Sequence, residues 1–195
     1  MTRQEEKQRL RRTMRELENQ LSPRYLETSG RAIAAHLLAM PEYRAAGTVF
    51  CFVGFGREVD TRPILEDALA SGKTLCAPLR AGPGEMELRR ITALDRLIPG
   101  TSGIPEPPAD SETVETDEVD FAVLPCVTCD RAGRRLGNGG GSYDRFLSHY
   151  RGGSVLLCRE KLLREEIPVE PHDCPVPWVL TERGLYEDGV PARLG

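Results

Sequence analysis

Arg135-Leu136-Gly137-Asn138-Gly139-Gly140-Gly141-Ser142-Tyr143-Asp144-Arg145 sets four glycines directly before a helix-like segment. Lacking Cβ atoms, such a loop turns tightly and aims several N–H groups at one anion, and the following helix adds the positive end of its dipole. Arg135, Arg145 and Asp144 supply cations for a polyphosphate and a hard oxygen ligand for Mg²⁺. The stretch matches neither the GxxxxGK[ST] phosphate loop nor a dinucleotide fingerprint, being too glycine-dense and lacking the terminal Lys-Ser/Thr. A structural turn is the competing reading of any glycine cluster.

The flanks of this loop define the fold class. Upstream, Phe121-Ala122-Val123-Leu124 is a continuous apolar run stopped by Pro125, as expected for a strand covered on both faces. Downstream, Tyr143, Phe146, Leu147 and Tyr150 share a helical side, and Ser154 to Cys158 reads as the next strand. Arg159 to Glu166 is expected to be a short helix and Trp178 to Thr181 a last strand.

Toward the N-terminus, residues 3 to 20 carry Leu10, Met14 and Leu17 at helical spacing, extended by Leu21, and a second helix runs through Leu26, Ile33, Leu37 and Met40. Ser22-Pro23 separates the two. Thr48 to Val53, Ile64 to Leu69 and Thr74 to Ala77 follow as strand, helix and strand, with Pro63 opening the helix and Gly72 closing it. Met86 to Ile91 is another strand, and Pro99 to Pro108 a proline-rich loop. This alternation predicts one domain over residues 1–195, an α/β three-layer open sheet, mainly parallel, with helices on both faces. Ligands in such sheets bind beyond the carboxyl ends of the strands, where the glycine loop falls.

Composition narrows the function. A net charge of −4 argues against a general nucleic-acid binder. The longest apolar run, Val49 to Val53, is far too short to cross a bilayer, and the charged start lacks the apolar core of a signal peptide, so a cytoplasmic location is expected. Lys7, Lys73 and Lys161 are the only lysines among 26 basic residues; the arginine excess suits oxyanions or simply reflects genome composition. Of six cysteines, Cys51, Cys76 and Cys158 sit in apolar runs as small core hydrophobes. Cys126-Val127-Thr128-Cys129 has metal or redox spacing, but no second Cys/His pair at ligand spacing accompanies it.

Several ordered segments together resemble the 5-formyltetrahydrofolate cyclo-ligase family, also called 5,10-methenyltetrahydrofolate synthetase. Lys7-Gln8-Arg9-Leu10-Arg11 is similar to its K-x-x-L-R, and Gly56-Arg57-Glu58-Val59-Asp60-Thr61 with Gly72-Lys73 to its GEVDT and GK segments. Asp120 to Pro125, Asp130 to Gly133 and the glycine loop resemble its long signature, and Ile167-Pro168, His172-Asp173 and Thr181-Glu182 its C-terminal elements. The resemblance implies an ATP- and Mg²⁺-dependent enzyme. The formyl oxygen of 5-formyltetrahydrofolate would attack the γ-phosphate, and N10 would close on the activated carbon, giving 5,10-methenyltetrahydrofolate, ADP and phosphate.

By the same resemblance Lys7, Arg11, Arg135, Gly137, Asn138, Gly139, Gly140, Gly141, Ser142 and Tyr143 contact ATP. Val53, Glu58 and the segment from Asn138 through Tyr143 line the folate site. Arg135, Tyr143 and Asp144 are implied to be catalytic, and Asp144 and Asp173 to hold Mg²⁺. A monomer or weak homodimer with no nucleic-acid or membrane partner is expected. On helical pattern alone, Lys7 and Arg11 belong to a solvated face. Asp144 is equally a first-turn helix acid, Asp173 a turn residue and Glu58 a loop surface charge.

Three positions depart from the family pattern: Ser142 replaces a tyrosine, Thr128-Cys129 an Ala-Phe, and Lys161 a common glutamine. Two of these remove rings near the expected pterin pocket. A nucleotide- or folate-binding regulatory paralogue without turnover is therefore a second reading, and a metal- or thiol-dependent protein using Cys126 and Cys129 a third.

Overall fold

The computed structural model describes residues 1–194. Local chemistry starts the first two helices. In α1 (Arg3–Gln20) the Thr2 hydroxyl accepts from the Glu5 N–H while the Glu5 carboxylate accepts from the Thr2 N–H, a reciprocal capping box. In α2 (Pro23–Ala39) Ser22 caps the Tyr25 N–H and Pro23 occupies the first turn. A short α3 (Pro41–Ala45) leads into β1 (Thr48–Cys51), followed by α4 (Arg62–Ala70), β2 (Thr74–Gly82) and β3 (Glu85–Ile91). Two small antiparallel pairs punctuate the rest: β4 (Ile98–Pro99) with β5 (Pro105–Glu106), and, beyond β6 (Phe121–Leu124), β7 (Thr128–Cys129) with β8 (Arg135–Leu136). The chain ends through α5 (Ser142–His149), β9 (Gly153–Leu157), β10 (Trp178–Thr181), β11 (Gly184–Glu187) and β12 (Val190–Ala192).

Eight strands form one sheet in the order β12-β11-β10-β9-β6-β1-β2-β3. The five central strands, from β10 to β2, are mutually parallel, and β3, β11 and β12 add antiparallel edges. Alternate residues of the parallel strands enter two separate cores. Val49, Cys51, Phe121 and Val123 pack with Ile33 and Leu37 of α2 and Ile64 of α4, whereas Phe50, Ala122 and Leu124 pack with Met14 of α1 and Phe146 of α5. This is why those runs are continuously apolar: the sheet is covered on both faces. The three-layer, mainly parallel architecture expected from the sequence is the one observed.

Three local expectations differ, the first being that the loop expected over Pro99 to Pro108 holds the β4–β5 pair around a 3₁₀ turn at Thr101–Gly103. The helix expected over Arg159 to Glu166 is only a single 3₁₀ turn at Glu160–Leu162. The reason is competition for its backbone groups: the Leu162 carbonyl accepts from the Thr128 hydroxyl, and the Arg164 N–H donates to the Cys129 carbonyl. The buried Arg159 guanidinium is likewise fixed to Ser29 Oγ and the Arg57 carbonyl, both at 2.9 Å. The hairpin of β11 and β12 was not anticipated, although Asp188-Gly189 carries its signal: both residues have positive φ, 48° and 86°, as a tight primed turn requires.

Helix α1 crosses one face of the sheet and is fixed at both ends by residues distant in sequence. At its C-terminus, where its last turn has no basic residue, Arg57 donates to the carbonyls of Glu18 and Leu21 at 2.8 and 2.5 Å. Near its N-terminus, the buried Lys7 ammonium pairs with Glu170 at 2.7 Å and Asp173 at 2.6 Å.

Both acids are held below the ordinary carboxylate range. For Glu170 the Lys7 bond is the main cause; for Asp173 burial opposes ionisation, but the bonds from Lys7 and the Glu170 N–H outweigh it. Stabilisation from such depressed carboxyls is complete above their unfolded pKa of about 4 and is lost as pH falls through the lower folded values. Lys7→Ala is expected to lower the melting temperature by several degrees at neutral pH, since Glu170 and Asp173 then lose the ammonium that bridges them. The gap to wild type should narrow on acidification, and a pH-independent gap in thermal melts would contradict this account.

Candidate functional site

Among the parallel strands the chain reverses its direction of propagation between β1 and β6: β2 lies outside β1, and β9 and β10 lie outside β6. Crevices form beyond the carboxyl ends of the strands at such a switch point. Here a cavity of about 610 Å³ opens over Phe52 and Val53, which follow β1, and Pro125 and Cys126, which follow β6. Helix α1 forms one wall, the β2–β3 hairpin another, and the glycine loop lies along the cavity between them.

The loop backbone has the conformation that its glycines allow. Gly139 and Gly141 have φ values of +101° and +73°, and Gly141 caps α5 without any side-chain hydrogen bond. The first N–H groups of α5 thus keep their capacity to bind an acceptor, and the helix dipole points at the same place. The loop is held from both sides. Arg11 donates from Nε to the Gly137 carbonyl at 2.7 Å, and Arg145 bonds the Gly84 carbonyl and lies 3.3 Å from that of Gly140. Gly84, with φ +69°, lies so close that an added Cβ would sit 2.3 Å from the Gly140 oxygen.

Two groups of charges in the cavity are mutually paired. Arg135 is buried, reaches Asp144 at 3.0 Å and stacks over the Tyr143 ring at 5.6 Å. The second Asp144 oxygen accepts from the Cys174 N–H at 3.2 Å. Arg135 Nε is buried without a hydrogen-bond partner among the described residues. Lys7 opposes Glu170 and Asp173, with the exposed His172 ring 3.5 Å from Asp173. Arg11 lies near enough to these two acids to be partly balanced by them, although burial and Arg15 draw its pKa down.

At the other side of the cavity, Glu58 accepts from the Phe55 N–H at 3.0 Å. Burial pushes its pKa up, Glu18 adds to this, and the Phe55 hydrogen bond offsets only part. Tyr143 stacks on Phe50 with ring centroids 6.3 Å apart, and burial, reinforced by Glu58, keeps its hydroxyl protonated.

The structure brings Lys7, Arg11, Val53, Glu58, Arg135, the glycine loop through Tyr143, Asp144 and Asp173 around this one cavity. Lys7 and Asp173, read separately in the sequence, contact each other directly, and so do Arg135 and Asp144. Sequence reasoning missed Glu170, Arg80 and the wall formed by Gly84 and Met86. The Pro83-Gly84 turn was the available signal for that wall; Glu170 offered none beyond its charge. Of the three departures from the family pattern, only Ser142 lines the cavity. Cys129 is fully buried outside it, and Lys161 lies over the Tyr25 ring at 4.3 Å. Cys126 lies on the cavity wall beside Cys129 and Cys158, and the two neighbouring thiols hold its own thiol below the usual range.

This chain is similar to known proteins over most of its length. It is 30% identical over 180 residues to the 5-formyltetrahydrofolate cyclo-ligase of Escherichia coli, covering 89% of this chain and 99% of that protein. It is 28% identical over 165 residues to the mouse (Mus musculus) protein of the same name, covering 78% and 79%. The NMR structure of 5,10-methenyltetrahydrofolate synthetase from Aquifex aeolicus superposes with a TM-score of 0.83 at 29% identity, covering 97% of this chain and 96% of that one. A synthetase structure from Mycoplasma pneumoniae, at 17% identity and a TM-score of 0.74, shares the fold. The sequence profile of the 5-formyltetrahydrofolate cyclo-ligase family matches residues 3–182, and the chain belongs to that family.

Proposed function

We propose that this protein catalyses the ATP-dependent cyclisation of 5-formyltetrahydrofolate to 5,10-methenyltetrahydrofolate, with release of ADP and phosphate. The observation that carries this reading is the convergence of an uncapped glycine loop, the α1 cations and a half-buried carboxylate on one cavity at the switch point. Residues 1–195 act as one unit, a monomer or weak homodimer in the cytoplasm, without nucleic acid or membrane as a partner.

An amide-type oxygen leaves poorly until phosphorylated. The formyl oxygen attacks the γ-phosphorus and ADP departs, leaving an iminium phosphate; N10 then adds to its carbon and loses its proton, and phosphate leaves from the resulting adduct. The protein's task is mainly positioning and charge neutralisation. The loop from Gly137 to Gly141, the N–H groups of Ser142 and Tyr143, and Lys7, Arg11 and Arg135 bind the triphosphate. Val53, Glu58 and Tyr143 hold the reduced pterin, with the Glu58 carboxylate accepting from a pterin N–H. The segment Asn138 to Ser142 lies where it can touch both substrates.

The hard oxygens of Asp144 and Asp173 suit Mg²⁺; Glu170 and His172 cluster with Asp173, whereas Asp144 stands outside that cluster against Arg135. Bound there, the cation would neutralise charge on the phosphates. Each acid is paired with Arg135 or Lys7, so phosphates binding these two cations would free Asp144 and Asp173 to hold the metal. The unpartnered Arg135 Nε fits that exchange, since it gains an acceptor when an anion arrives.

The reading without turnover is weakened by the position of the departures, because Ser142 alone reaches the cavity. One assay separates the two. Purified protein mixed with MgATP and 5-formyltetrahydrofolate is expected to generate the near-ultraviolet absorbance of methenyltetrahydrofolate; tight binding of both ligands with no product would favour the regulatory reading.

Mg²⁺ titrated calorimetrically into the free protein should bind far more weakly than in the presence of a non-hydrolysable ATP analogue. Equal affinities would refute the exchange of ion pairs. Arg135→Ala should reduce kcat/KM for ATP about tenfold or more, from loss of a charge-assisted phosphate contact, and unaltered ATP kinetics would remove Arg135 from the site. For Glu58 the raised pKa gives a sign: the KM for the folate should rise as pH falls, beginning above the ordinary carboxylate range. Glu58→Gln should flatten that profile, and a profile unchanged by the substitution would mean that the folate lies elsewhere.

A further inference from the structure

The Cys126-x-x-Cys129 spacing offers two sulfurs, and the fold supplies a third. Strands β6 and β9 are parallel neighbours with Leu124 opposite Leu156, so the chain segments leaving their carboxyl ends carry Cys126 and Cys158 side by side. The β7 strand then places Cys129 against the same point. All three Sγ atoms lie within 4.8 Å of one another.

We propose that Cys126, Cys129 and Cys158 form a three-thiolate site for a soft divalent cation of the zinc class, with the remaining coordination position facing the cavity. Three sulfurs around tetrahedral zinc, with Zn–S near 2.3 Å, stand about 3.8 Å apart, so closing on the ion requires only small side-chain movement. Cys129 and Cys158 are 0% and 3% exposed, whereas Cys126 is half-buried and lines the cavity. Two ligands therefore lie in the dry interior and one at the wet boundary, which leaves the fourth position to water or to a group entering the cavity.

Sulfur donors discriminate against Mg²⁺, which prefers oxygen, so this site and the carboxylates around Asp144 and Asp173 select different cations. Three thiolates around a divalent ion leave one negative charge. Arg135, the β8 partner opposite Cys129 in the ladder, supplies a cation nearby. The thiols of Cys126 and Cys158 donate weakly to the carbonyls of Leu157 and Arg159, each at 3.6 Å, and would give up their protons on binding a metal. An ion here narrows the cavity between Cys126 and Arg135, so metal occupancy opposes substrate binding.

The test uses the full chain, reduced, stripped with a chelator and desalted. Titration with Cd²⁺, followed by thiolate-to-metal charge-transfer absorbance, is expected to saturate at one ion per chain, and Zn²⁺ should displace the Cd²⁺. Cys126→Ser, at a half-buried position, should keep the fold by circular dichroism and weaken binding about tenfold or more. Cys174→Ser should leave the titration unchanged. A wild-type titration indistinguishable from that of Cys126→Ser, or binding lost in Cys174→Ser, would overturn the site. In the cyclisation assay, stoichiometric Zn²⁺ should slow the wild type and not Cys158→Ser, with chelator restoring the rate. Binding without inhibition would refute the placement of the open position toward the cavity. The absorbance titration needs no turnover, so it stands apart from the catalytic proposal.

Discussion

One buried ammonium joins the two distant ends of this chain. Lys7, on the first helix, sits buried between the partly exposed Glu170 and Asp173 near the other end of the sequence. A lysine in that environment requires counter-charge, because an uncompensated buried ion costs several kcal/mol. Met14 inserts into the core on the same helix and Arg57 completes its far end, so α1 has one docking position rather than a range. That position sets Arg11 against the glycine loop. The cavity wall, the loop conformation and the cation supply all follow from it.

The parallel sheet provides the other half of the site. Its switch point opens a crevice between the ends of β1 and β6, and the segments leaving those ends carry Val53, Glu58 and Cys126 to one side. The glycine loop enters from β8 and ends at α5, which contributes its dipole and Tyr143. Oppositely charged groups then neutralise each other within the cavity, Arg135 with Asp144 and Lys7 with Asp173. Such an arrangement balances charge within the cavity.

Much of this was legible in the sequence, for identifiable reasons. Val49 to Val53 and Phe121 to Leu124 are apolar without interruption because both sheet faces are covered, and the stripe of Leu10, Met14 and Leu17 marked the buried side of α1. The glycine loop announced itself because few other residues tolerate its backbone angles. What remained hidden was pairing across long sequence separations. Lys7 lies on a helix most of whose other charged residues are solvated, and nothing local distinguishes it from them. Arg159 to Glu166 has helical propensity, yet its backbone groups are claimed by Thr128 and Cys129 from another segment. Cys158 looked like a core hydrophobe until the register of β6 and β9 set it beside Cys126.

Hydrogen exchange measured with and without a magnesium complex of a non-hydrolysable ATP analogue addresses the central claim most directly. If α1 and the glycine loop form one binding unit, amides from Gly139 to Asp144 and those around Lys7 and Arg11 gain protection together, at the same nucleotide concentration. Protection confined to other segments, or a loop that responds while α1 does not, would contradict the account.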